Sequence, residues 1–287
     1  MRRLCVGDIH GCYDKLIDVL NRCNFSDSDI LYSVGDFTDR GTQNVKTLDF
    51  LMSLKNFKPV CGNHDLWNYE YLHPRIPFTH KSFDGETISG TRPYIDRDTE
   101  ECWVKWNGGK YTEKEEYAQS EEWRNKVFHF LEDIPYRIDL GDRVILHSVC
   151  HTMFYNYADI PIDEITIKTL KSSGLIKYEV YDDEIWSRSI IPACKGYLPL
   201  GQKKEASAEE LAYYRKCCDP VYNGKKIYII GHTPLEHPFF DRELGIIGID
   251  TGSFCNKRDY GVDGYLTVLD MDTFEYWQSG KKGSFQL

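Results

Sequence analysis

Leu4 to Gly7 is a short apolar run that ends in a polar cluster, and Tyr13 to Asn24 then carries Leu16, Val19, Leu20 and Cys23 at three- and four-residue spacing. That spacing predicts an amphipathic helix after a strand. Ile30 to Val34 is apolar again, Val45, Leu48, Leu51 and Met52 repeat the helical period, and Phe57 to Cys61 gives a third strand. The order is β-α-β-α-β, for which a parallel sheet with right-handed crossovers is expected. Further along, a helix is predicted over 121–133, followed by a hairpin in which Tyr136 to Asp139 turns through Gly141-Asp142 into Arg143 to His147. Ile227 to Ile230 and stretches near 246–249 and 264–270 read as the strands that finish the sheet.

Two stretches break this rhythm. Residues 73–120 hold Pro74, Pro77, Pro93, the pair Gly108-Gly109 and the run Glu113-Lys114-Glu115-Glu116, and are expected to form an insertion packed over the sheet. A second insertion is expected over 190–224, with a helix at 205–217. The length of 287 residues accommodates a single domain over 1–287 that carries both insertions.

The strand ends carry the chemistry. Five segments place oxygen and imidazole donors there: Gly7-Asp8-Ile9-His10-Gly11, the stretch from Gly35-Asp36 to Asp39-Arg40-Gly41, Gly62-Asn63-His64-Asp65, Leu146-His147-Ser148 and Gly231-His232-Thr233. Ligand sites in such sheets lie beyond the carboxyl ends of strands. Asp8 and His10, two apart in a strand tail, project the same way. Carboxylate, amide and imidazole without thiolate suit Mn²⁺, Fe or Zn²⁺ better than Ca²⁺ or a structural zinc. One ion is expected at Asp8, His10 and Asp36, and a second at Asp36, Asn63, His147 and His232, with Asp36 bridging. Two such ions generate a nucleophile from water at neutral pH and clamp the oxygens of an in-line displacement, which is the work of a phosphoryl hydrolase.

Composition narrows the remaining classes. With 41% apolar and 28% charged residues the chain is globular, and 35 Lys and Arg against 45 Asp and Glu give a net charge of −10. No nucleic-acid partner is expected on that balance. No apolar stretch approaches the ~18 residues of a membrane span, and the start Met1-Arg2-Arg3 with its brief apolar run reads as a strand rather than a signal peptide. Ten scattered cysteines without a Cys-x-x-Cys pair read as free thiols, and a cytoplasmic location is expected. Residues 96–122 hold nine acidic and four basic side chains, read as a solvated face, with a preference for basic phosphopeptides as the functional alternative.

The ordered segments at 7–11, 35–41 and 62–65 resemble the signatures of the calcineurin-like metallophosphoesterases, within them the phosphoprotein-phosphatase branch of bacterial and phage protein phosphatases and symmetrical bis(5′-nucleosyl)-tetraphosphatases. The resemblance implies an α/β fold, a β-sandwich with flanking helices and a dinuclear metal site at the carboxyl ends of the strands. It implies that His64 is the general acid that protonates the leaving alkoxide and that Asp39 orients and charges it. Arg40 and, in Trp186-Ser187-Arg188, Arg188 resemble the family's phosphate-binding arginines. Trp106-Asn107-Gly108-Gly109 with Thr112, and Asp250-Thr251-Gly252-Ser253, resemble segments with structural roles. Ser148-Val149-Cys150-His151 departs from the family pattern after His147, which makes His151 a competing ligand, and Pro234 agrees with the phosphoprotein-phosphatase type of site.

The implied function is metal-dependent phosphoester hydrolysis of the serine/threonine phosphoprotein phosphatase type. Asp39 favours it, because the tetraphosphatases typically carry alanine there. The alternative is a symmetrical dinucleoside tetraphosphate hydrolase, favoured by similar length and by the stretch from Gly62 to Leu66. A catalytically silent scaffold is the reading from another class, and the presence of every inferred ligand argues against it. The implied cofactors are two divalent ions, manganese first, with iron, zinc or nickel as alternatives. The implied partners are a phosphorylated protein or peptide or a small phosphoester, with no membrane. Bound ions and two arginines make such a site locally positive in an acidic chain.

Overall fold

Successive residues of the buried strands divide between two cores. The computed structural model describes residues 1–150, 185–202 and 204–284. In β1 (Arg3–Val6) Leu4 and Val6 join one apolar cluster and Cys5 another. In β2 (Ile30–Ser33) Leu31 and Tyr32 split the same way. The strands are apolar on both faces because both faces are covered.

Six strands form one sheet. β1, β2 and β3 (Phe57–Pro59) pair in parallel, as the sequence predicts. A second sheet of five strands contains the predicted hairpin of β6 (Arg137–Asp139) and β7 (Arg143–Leu146), with β8 (Ile227–Ile230) parallel to β7. It is completed by β9 (Phe239–Asp241) and β10 (Ile246–Gly248). The first sheet continues antiparallel from β1 through β11 (Thr267–Asp270), β12 (Glu275–Gln278) and β13 (Lys281–Ser284). The expectation of one sheet read from the periodicity is therefore corrected. The strands near 143, 227 and 246 belong to a second sheet, whose buried apolar residues divide between the layer facing the first sheet (Ile145, Ile229, Ile247) and a core on the other side (Val144, Leu146, Tyr228, Ile230, Ile246), so that both faces are covered. Cys5, Tyr32, Ile145, Ile229, Ile247 and Leu269 fill the layer between the sheets, which makes the α/β sandwich.

Helices cover the outer face of the six-stranded sheet. α1 (Tyr13–Arg22) buries Leu16, Val19 and Leu20, and α2 (Asn44–Ser53) buries Val45, Leu48 and Leu51. α3 (Asn63–Leu72) is buried nearly all round. The first insertion is a β4 (Ile76–Lys81) and β5 (Thr87–Arg92) hairpin, then α4 (Arg97–Trp106), capped by Asp96 and anchored by buried Trp103, and α5 (Tyr111–Lys114). α6 (Glu121–Glu132) starts on the Ser120 cap and buries Trp123, Val127 and Leu131 at four-residue intervals. In the second insertion α7 (Ala208–Lys216) begins later than expected, where Ser207 and Glu210 form a capping box. α8 (Lys257–Tyr260) is a single turn closed by Gly261.

Candidate active site

The segments that follow β1, β2, β3, β7 and β8 meet at the carboxyl ends of these parallel strands. They turn sharply to do so. Of the seven non-glycine residues with positive φ among the described residues, five are His10, Asp36, Asp39, Arg40 and His232. Such backbone persists only where surrounding contacts impose it. Asp65 is one source of that imposition: its carboxylate accepts the backbone N–H groups of Asp36 (2.7 Å), Phe37 (3.0 Å) and Gly62 (2.9 Å), tying the β2 and β3 loops together. Gly62 fits against Asp36 so closely that a Cβ there would lie 2.2 Å from Asp36 Oδ1.

All six expected metal-ligating side chains are buried and gather here. Two groups have ligand atoms within 4.8 Å of one another, His10, Asp36 and His64, and Asp8, Asp36 and His147. Asp36 is common to both. Its Oδ2 lies 3.6 Å from His10 Nε2 and 3.4 Å from His147 Nε2. Asn63 Oδ1 stands 3.0 Å from both His147 Nε2 and His232 Nδ1. Asp8 accepts the backbone N–H of His232. Around the shared Asp36, the ligand-atom groups set Asp8 near His147 and His10 near His64. His151 lies outside the described residues.

The donor set matches divalent cations on two physical grounds. His10 Nδ1 lies 2.9 Å from Thr38 O and His147 Nδ1 2.6 Å from Val34 O, so each ring donates from Nδ1 and turns Nε2 toward the Asp36 carboxylate. For a neutral His10 ring acceptor then faces acceptor, an arrangement suited to a cation between them, while at His147 the Asp36 carboxylate outweighs burial and raises the imidazole above its ordinary range. Burial also holds the His10 and His232 imidazoles well below their ordinary range, which keeps them neutral ligands. Burial and the charges of Asp250 and Asp36 push Asp8 well above the carboxylate range. No lysine or arginine ion pair relieves Asp8, Asp36 or Asp250 among the described residues. Burial pushes Asp250 itself up to about 6.

Beside this cluster, His64 Nδ1 lies 2.5 Å from Asp39 Oδ2, both side chains buried. The same oxygen accepts the indole N–H of Trp103. Burial raises the Asp39 carboxyl, and these two donors oppose the rise. Trp103 comes from the first insertion and nothing in its local spacing announces a role; its long-range contact appears only in the fold. Asp65 was visible within Gly62-Asn63-His64-Asp65 but had no assigned task. Trp67 stands edge-on to His64 at 5.1 Å, and Trp186 contacts both Trp67 and His232. Arg40 is exposed with its guanidinium 4.7 Å over Phe254, and Arg188, also exposed, donates to the His232 carbonyl at 3.4 Å. Both arginines therefore stand at the rim of the buried cluster.

A family model described as calcineurin-like phosphoesterase matches residues 1–242. The chain belongs to the calcineurin-like phosphoesterase family. The buried side chains of Asp8, His10, Asp36, Asn63, His147 and His232, gathered around Asp36, are the candidate dinuclear centre, with His64 beside them. Among the chain's relatives, the symmetrical bis(5′-nucleosyl)-tetraphosphatase of Shewanella loihica is 51% identical over 73 residues, 25% of this chain and 26% of that protein. Serine/threonine-protein phosphatase 2 of Salmonella typhimurium is 51% identical over 61 residues, 21% of this chain and 28% of that protein. The match thus spans about a quarter of these relatives' length. A solved putative diadenosine tetraphosphatase superposes with a TM-score of 0.51 at 18% identity, covering 96% of this chain and 92% of that one. A cold-active protein-tyrosine phosphatase from a Shewanella species gives 0.54 at 16% identity, covering 99% and 80%. These likenesses establish the shared phosphoesterase fold. No helix among the described residues is long and apolar enough to cross a membrane.

Proposed function

We propose that this calcineurin-like phosphoesterase is a serine/threonine-type phosphoprotein phosphatase in which His64 is the general acid. The observation that carries this reading is the buried contact of His64 with Asp39. A serine or threonine alkoxide is a poor leaving group and needs a proton as the P–O bond breaks, whereas a nucleoside diphosphate leaves without one. An imidazolium held by a carboxylate is suited to that donation. Asp39 fixes the His64 ring through Nδ1, leaving Nε2 for the leaving oxygen. Arg40 and Arg188 bind the phosphoryl oxygens and stabilise charge as the bond breaks.

Asp8, His10, Asp36, Asn63, His147 and His232 are the residues proposed to hold two divalent ions, manganese first, with iron, zinc or nickel able to replace it. The ions supply Lewis acidity and a nucleophile at neutral pH. Residues 1–287 act as one catalytic domain in this reading, and ten free cysteines accord with a cytoplasmic location.

The second reading, a symmetrical dinucleoside tetraphosphate hydrolase, is favoured by the Shewanella loihica relative. Side-by-side turnover of a phosphoserine peptide and diadenosine tetraphosphate by the manganese-loaded protein separates the two. A higher kcat/KM on the peptide is expected; a large preference for the tetraphosphate overturns the first reading.

A further inference from the structure

Read along the chain, residues 96–122 are acidic, nine carboxylates against four basic groups. The fold sorts these charges. Three of the four basic side chains, Lys105, Lys110 and Lys114, line one pocket of about 450 Å³ together with Arg40. Two exposed rings stand in the same lining, Trp106 at 81% and Tyr260 at 54% exposure. Glu115 is the one carboxylate among the described lining residues, and both of its oxygens are occupied. Oε1 accepts from the backbone and side-chain nitrogens of Asn44, and Oε2 from the backbone N–H of Val45. Lys105 pairs with Glu101, while Lys110, Lys114 and Arg40 make no ion pair among the described residues.

The pocket adjoins the candidate active site. A Cβ on Gly108, which has φ of +99°, would lie 2.1 Å from the backbone nitrogen of Arg40, so this segment rests directly on the loop that carries Asp39 and Arg40. On the other side, the Phe254 ring lies 4.9 Å from His10, 4.7 Å from the Arg40 guanidinium and 5.3 Å from Tyr260. One aromatic ring thus separates the candidate metal cluster from a cavity with uncommitted cations.

We propose that this pocket is a specificity subsite for a second anionic group, a carboxylate or a phosphate, that the substrate carries beside the phosphate being hydrolysed. The proposal rests on the phosphatase reading of the adjoining site. In a phosphopeptide the group is an acidic side chain flanking the phosphorylated residue, with Trp106 and Tyr260 covering its apolar stem; in a polyphosphate it is the next phosphoryl group. The acidic composition of 96–122 therefore does not translate into a preference for basic peptides.

The test uses the full manganese-loaded chain and the double variant K110E/K114E. Its substrates are phosphoserine peptides flanked by Glu, Ala or Lys, diadenosine tetraphosphate, and p-nitrophenyl phosphate, which has no second anion. For the wild type, kcat/KM is expected to be about tenfold higher on the Glu-flanked than on the Lys-flanked peptide, a size in keeping with two partly exposed ion pairs. The preference should shrink as salt is added and vanish or invert in the variant, with p-nitrophenyl phosphate turnover unchanged. A variant that loses only diadenosine tetraphosphate turnover assigns the subsite to a polyphosphate. A wild-type preference that survives in the variant, or no charge effect on any substrate, overturns the subsite. Absence of metal-dependent p-nitrophenyl phosphate turnover in the wild type would instead overturn the phosphatase reading.

Discussion

Asp36 concentrates more of the chemistry than any other side chain, since it is shared by both ligand groups and also accepts the backbone N–H of His64 at 3.0 Å. Asp36→Asn is expected to lose both ions together, read as metal content by mass spectrometry of the purified protein; retention of one ion would show that the carboxylate is not shared. Trp103 acts at one remove, through Asp39. A hydrogen bond to a charged group contributes about 1.5–3 kcal/mol, so Trp103→Phe, which keeps the ring but removes the donor, should lower kcat on an alkyl phosphate about tenfold or more. KM and metal content should hold, and the loss should be smaller on p-nitrophenyl phosphate, whose leaving group needs less protonation. An equal loss on both substrates would reduce Trp103 to a packing residue. Asp8, His10, Asp36, Asn63 and His232 were legible in the sequence because polar residues clustered directly after apolar runs are poor core material unless they share a site. Trp103 was not legible, because its partner lies 64 residues away and an indole among apolar neighbours reads as core.

At the level of elements, each donor is placed by a strand end or a helix start. α3 begins at Asn63, with Gly62 at the N-cap position and Asp65 closing the turn onto three backbone donors. The close approach of Gly62 to Asp36 predicts that Gly62→Ala displaces the β2 loop, lowering both metal content and thermal stability; a variant with unchanged metal content and melting temperature would contradict the tight fit. The β-α-β-α-β start and the hairpin at 136–147 were legible from periodicity. The division of strands between two sheets was not, since an apolar run records only that both faces are covered and not by what. The β4–β5 hairpin escaped because its positions are largely exposed and lack an apolar alternation.

For the molecule as a whole, the two sheets bring donors from both ends of the sequence to one place, from Asp8 to His232. The amino-terminal strand is held by Arg2, whose guanidinium bonds Asp29 at the start of β2 and the carbonyls of Cys23 and Asn24 after α1. The hydrogen bond from Arg2 holds the Asp29 carboxyl down at about 2, against about 3.9 in an unfolded chain. A depressed folded-state value gives stabilisation that is full above about pH 4 and is lost as pH falls toward about 2. Arg2→Ala should therefore cost more stability at pH 7 than at pH 2 in urea unfolding, and a pH-independent gap would contradict the linkage. The surface pattern also had to be seen folded: an acidic stretch by composition gathers its lysines around one pocket. The central claim is that His64 protonates the leaving group beside a metal cluster it does not hold together. The most direct measurement compares kcat for wild type and His64→Asn, both with metal content determined, across phosphate monoesters of graded leaving-group pKa. The account predicts unchanged metal content, a loss of about 10² or more on alkyl phosphates, and a loss that fades as the leaving group improves. A uniform loss across the series, or a variant without its metals, would contradict it.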